Sequence, residues 1–123
     1  MATPTTAAPE SLPPHKLRDA MKRSLKETLD CMDSDDFVFG LDALSEKERN
    51  AALITRGKVF RAWREISNQE LAAIRDELVK NEAPLRAATE SLNAAIKDLA
   101  KVEKILKAAT TFLAVAAKVI PVL

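Results

Sequence analysis

From Leu71 onward a leucine stands at every seventh position: Leu71, Leu78, Leu85, Leu92, Leu99, Leu106 and Leu113, with Ile120 closing the series. Three residues after each comes a second set, Ile74, Asn81, Ala88, Ala95, Val102, Ala109, Ala116 and Leu123. Alternating steps of three and four keep side chains on one side of an α-helix. The pattern therefore predicts one long amphipathic helix within residues 67–123, whose apolar seam has to be covered by something.

The rest of the chain supports an all-α reading. Of 123 residues, 47% are apolar, yet there is no Tyr, one Trp and two Gly, and Ala, Leu, Lys and Glu fill the positions that strand formers would take. Thirteen N-terminal residues rich in Pro, Thr and Ala cannot sustain a helix or bury a core, so 1–13 reads as a disordered tail. Leu17, Met21, Leu25 and Leu29 recur at i+4 behind Pro14, which predicts a first helix over 14–32. Ser45 and Glu48 form a capping-box pair that opens a second helix, ending near Ile66. Within it Phe60 and Trp63 are expected to be packing anchors, and Gly57 to allow close helix approach. Ser67 and Glu70 resemble a second capping box, starting the long helix. The expected architecture is a helical hairpin or three-helix arrangement: a two-helix region at 14–66 and the heptad helix at 67–123.

Length makes the long helix a problem. At about 1.5 Å per residue, residues 68–120 would span roughly 80 Å, against about 30 Å for each of the first two helices. Half of the seam would lack an intramolecular partner, and a long exposed apolar stripe marks an interface. Leu71, Ile74, Leu78, Leu85, Leu92, Leu99, Val102, Leu106 and Leu113 are the expected interface residues. Pro84 either kinks this helix or breaks it into a hairpin; the unshifted leucine register across it favours the kink. In a parallel pairing Glu77 would face Glu82 and Asp98 would face Glu103, while the d positions hold small alanines. Self-association or a protein partner in antiparallel or heteromeric packing suits the seam better.

After Glu103 there is no acid, and Phe112, Val115, Val119, Ile120 and Leu123 widen the apolar face opposite Lys104, Lys107 and Lys118. Such a face contacts either a partner or an anionic membrane surface. As a transmembrane span it is marginal, being interrupted by lysines and Pro121.

Chemistry is thinly provided. One His and one Cys, His15 and Cys31, have no mates for nucleophilic catalysis or metal binding, and two isolated glycines cannot build a phosphate loop. Asp33 and Asp35 hint at a calcium loop, but Val38 stands where its glycine belongs and Leu44 where its bidentate acid belongs. No cofactor, metal or catalytic residue is expected. A net charge of +1 argues against a polyanion partner, and acids at Glu46, Glu48 and Glu65 dilute any basic-region reading, so nucleic acid is disfavoured. Charge nevertheless comes in blocks: basic from Lys16 to Lys26, acidic from Glu27 to Glu48, basic again from Arg49 to Arg64. No secretory signal pattern precedes Pro14, and the expected location is cytoplasmic, with membrane association as the alternative. No family resemblance is specific enough to name. The functional expectation is a non-enzymatic helical interaction or assembly protein of adaptor, chaperone or inhibitor type. The alternative is a membrane-active helical protein that uses its apolar C-terminal segment.

Overall fold

A computed structural model describes residues 13–98 and 101–120. Six helices follow one another: α1 Pro14–Met32, α2 Asp35–Leu41, α3 Glu46–Asn68, α4 Leu71–Lys80, α5 Glu82–Ala95 and α6 Val102–Ala116. No strand occurs among the described residues. The expected tail lies outside them except for Pro13, as do Leu99 and Leu123.

Local chemistry sets the first three elements. Pro14 occupies the first turn of α1, where its missing N–H costs no hydrogen bond. Ser34 caps α2 by accepting from the Phe37 N–H, with Asp35 and Asp36 at the positive end of the helix. The Ser45–Glu48 capping box is formed in both directions, and the Ser45 hydroxyl and backbone hold the Glu48 carboxyl below the usual carboxylate range. The second box does not form. Ser67 instead donates to the Trp63 carbonyl at 2.7 Å inside α3, and Glu70 precedes α4 without a side-chain cap. Helix α3 runs uninterrupted through Gly57, where an added Cβ would meet nothing within 4 Å. The glycine therefore serves no close approach inside this chain.

The expected single rod is replaced by α4, α5 and α6. At Pro84 the interruption is one residue long. Asn81 donates its backbone N–H to the Glu77 carbonyl at 3.0 Å, and its own carbonyl accepts from the Leu85 N–H at 3.0 Å. Its Nδ2 also reaches the Glu77 carbonyl, at 2.8 Å. Proline thus falls in the first turn of α5, and the leucine phase survives: Ile74, Leu78, Leu85, Ala88, Leu92 and Ala95 are all buried. The true reversal comes later, between Ala95 and Val102, at a sequence with neither Gly nor Pro. Lys101, at φ −90° and ψ 71°, leaves the helical region there.

The reversal shifts the phase of the buried stripe. In α6 the core residues are Val102, Ile105, Ala109, Phe112 and Ala116, followed by Val119 and Ile120, whereas Leu106 and Leu113 move to half-buried flanks. The leucine count runs on past the turn, but it no longer marks one seam.

Helix α1 packs on α3, α3 on α6, α6 on α5 and α5 on α1, closing a four-membered ring, with α4 lying against α1. Ser24 on α1 donates to Asn93 Oδ1 on α5 at 2.8 Å, and Leu17 and Ala20 lie beside Arg86, Thr89 and Glu90, so these two helices run parallel. Ala43 and Leu44, just before α3, lie beside Val102 and Glu103 at the start of α6, and the two helices pack along their length, so that pair is parallel too. Two antiparallel hairpins, α1/α3 and α5/α6, therefore stand side by side. Met21, Leu25, Ile66, Leu85, Leu92, Ile105 and Phe112 fill the space between them. At about 1.5–3 kcal/mol for each fully buried apolar side chain, this core is the dominant stabilising term. The only buried polar side chains among the described residues are Ser24 and Thr28, and Thr28 is satisfied by donating to the Ser24 carbonyl at 2.7 Å.

Two substitutions separate core from surface. Leu92→Ala is expected to lower unfolding free energy by about 2–5 kcal/mol, through lost burial and a residual cavity. Gly57→Ala, in open space on a helix, is expected to raise it by about 0.4–1 kcal/mol. Urea unfolding followed by circular dichroism measures both; the reverse order of effects would contradict this packing.

Candidate functional site

The expected interface residues are mostly inside the molecule. Ile74, Leu78, Leu85, Leu92 and Val102 are buried by the chain's own helices, and Leu71, Leu106 and Leu113 are half-buried against the same core. Of the expected membrane or partner contacts, Phe112, Val119 and Ile120 are buried and Val115 is half-buried. Among the described residues no helix is long and apolar enough to cross a membrane. Trp63 packs partly buried against the core, whereas Phe60 is 45% exposed on the outer side of α3.

Apart from Val79 on α4, the large apolar side chains left in the open are on α3 and α2. Leu53 and Ile54 are 60% and 61% exposed. Helix α3 buries only Ala52, Val59, Ala62 and Ile66, so its apolar residues cover more of its circumference than one packed face requires. Phe60 lies tilted by 37° against Trp63 at 6.2 Å between centroids, and the Arg64 guanidinium sits 5.9 Å from the Phe60 ring centre. That cation–π contact keeps Phe60 partly covered.

A groove runs between the parallel helices α3 and α6. Thr55, Lys58 and Arg61 form one wall, and Thr110, Leu113, Ala114 and Ala117 the other, around ≈ 370 Å³ of open space. Small residues on α6 make the depression, and Ile54, one turn before Lys58, borders a separate, shallower hollow with Glu46, Lys47, Asn50 and Ala51. Within the groove itself the charge is one-signed. Between Glu48 and Glu65 the chain holds five cations (Arg49, Arg56, Lys58, Arg61 and Arg64) and no acid; between Glu103 and Pro121 it holds Lys104, Lys107 and Lys118 and again no acid. Arg56 is turned away into a two-point contact with Asp33, Nε to Oδ1 at 3.0 Å and Nη2 to Oδ2 at 3.1 Å, which ties α3 to the end of α1.

Neither wall of this groove carries a nucleophile paired with a base. No group of three or more His, Cys, Asp or Glu side chains able to hold a metal occurs among the described residues. Cys31 is buried, and burial pushes its thiol above the ordinary value. The chain matches no protein-family model, no curated protein and no solved structure.

The buried thiol generates a reactivity prediction. Native protein at neutral pH is expected to react with a thiol reagent only through unfolding, while protein in denaturant reacts at once. Because the folded state favours the protonated thiol, its stabilising effect is intact below the unfolded thiol pKa and declines as pH rises towards the raised folded value. Immediate stoichiometric labelling of the native chain would contradict the burial.

Proposed function

We propose that this protein is a non-enzymatic helical interaction module whose binding surface is the α3/α6 groove with the adjoining crest of α3. The observation that supports this most directly is the strongly exposed Ile54 one turn before Lys58 on the rim of a concave, cation-flanked lining. Exposed apolar side chains gathered beside a groove mark contact surfaces more reliably than an amphipathic sequence does. The leucine seam has a different duty: it holds the bundle together and is already covered.

The shape of the groove fits an entering helix. Its α6 wall extends from Thr110 to Ala117, about two turns or roughly 10 Å, and small side chains along it let another backbone come near. Recognition of this kind places apolar anchors at helical spacing in the groove and charged residues along its edges. Lys58 on one edge would then select for acidic residues flanking those anchors.

Site-specific photo-crosslinking in the native host tests the reading. A photoreactive residue at Ile54 or Ala114 is expected to give a discrete covalent adduct. The same residue at the exposed Ala94 of α5, a helix that does not border the groove, is expected to give none. Equal yields at all three positions, or none anywhere, would contradict it.

A further inference from the structure

The basic groove has a counterpart on the same chain. Helix α2 presents Val38 at 46% and Phe39 at 69% exposure, the highest among the large apolar side chains described. Phe37, one residue earlier, is buried and fastens the helix to the body. Around the exposed pair stand Asp35, Asp36 and Asp42, all at the surface. From Asp33 to Leu44 the chain contains no cation. Asp30 and Asp33 are engaged with Lys26 and Arg56, but Asp35, Asp36 and Asp42 have no ion pair among the described residues. Helix α2 is therefore a short acidic helix with an uncovered aromatic knob.

We infer that α2 of one molecule docks into the α3/α6 groove of a second copy. This rests on the reading of the groove as a binding surface and names its occupant. Three observations converge on it. The seven residues of α2 make two turns, the length of the groove's α6 wall. Phe39 and Val38 supply the apolar anchors for a lining of Leu113, Ala114, Ala117 and the Thr55 methyl. Asp35, Asp36 and Asp42 supply the charge that Lys58 and Lys107 lack, since neither lysine has an ion pair among the described residues. Lys107 belongs here because it precedes Thr110 by one turn and Ala114 by two.

The two patches cannot meet within one molecule. Gly40 and Leu44 lie beside Val102 and Lys104 at the start of α6, whereas Ala114 lies twelve residues further along, about 18 Å away. Knob and groove are different surfaces, so the contact is head-to-tail and generates rings or open chains, not a closed symmetric pair. Concavity favours this occupant over a lipid surface: a bilayer receives a protruding apolar face, and here the apolar lining is recessed between two helices.

The experiment is sedimentation velocity of the full chain over a concentration series, at about 20 mM and about 500 mM salt. Wild type is expected to populate dimers and larger species at low salt and to shift towards monomer at high salt. Phe39→Asp removes the knob and Ala114→Glu fills the groove with a negative side chain; both sites are exposed, and circular dichroism verifies that each variant folds. Each alone is expected to associate at least about 30-fold more weakly. Mixed together, they keep one intact knob and one intact groove and are expected to form a 1:1 dimer that grows no further. A monomeric wild type, or a mixture that stays monomeric, overturns the inference. So does a monomeric wild type that floats with phosphatidylglycerol vesicles and loses this on Ala114→Glu, which assigns the face to lipid. An Ile54 crosslink to a different protein, with wild type monomeric, also overturns it while leaving the groove a binding surface.

Discussion

An apolar stripe on a helix has to be removed from water, and a helix longer than its cover leaves part of that stripe exposed. Helices of 19 and 23 residues, α1 and α3, offer about 28–35 Å of shelter. The stretch from Leu71 to Ile120 would need more than twice that as a rod. Doubling back after Ala95 makes the second half the cover of the first and brings both alongside α1 and α3. Backbone hydrogen bonds given up at the turn are offset by burial of Leu85, Leu92, Ile105 and Phe112 in one core. Everything else about the molecule follows from that closure, including which faces are left outside.

Those outer faces are unequal. Once α1, α3, α5 and α6 close the ring, α3 retains apolar residues that the core does not use, and α6 retains small and basic ones. Their parallel juxtaposition brings two acid-free stretches together and creates the groove. Of the acidic block, Asp30, Asp33, Asp35 and Asp36 are carried to the junction of α1 and α2, and Glu46 and Glu48 to the first turn of α3. A nearly neutral chain thereby becomes a polarised one, with an acidic apolar corner and a basic apolar cleft.

Much of the fold is legible in the residues. Leu17, Met21, Leu25 and Leu29 mark α1, Ser45 with Glu48 marks the start of α3, and the predominance of Ala, Leu, Lys and Glu with few aromatics argues against a sheet. Asn81 and Pro84 mark the interruption between α4 and α5. The reversal at 96–101 is not legible, because no local breaker produces it. Ile96, Lys97 and Asp98 are ordinary helical residues, and tertiary burial overrides their preference. The heptad count misleads there for a physical reason: leucine is as acceptable on a half-buried flank as in a core, so Leu106 and Leu113 extend the period after the seam has rotated away. The residue before each counted position, which changes from Glu70, Glu77, Pro84, Ser91 and Asp98 to Ile105, Phe112 and Val119, was the available sign. The candidate site was legible only as pieces. Charge blocks were visible, and so were Leu53, Ile54 and Phe39, but which of them face outward depends on the ring order of the helices.

The most direct measurement is a distance across the turn. Spin labels at Ala87 of α5 and Thr111 of α6, both exposed, are to be introduced in a Cys31→Ala background and read by pulsed electron resonance. The folded-back arrangement places them on adjacent antiparallel helices, with a label separation under about 25 Å. A continuous helix would hold them about 36 Å apart, and a single narrow distribution there would contradict the account.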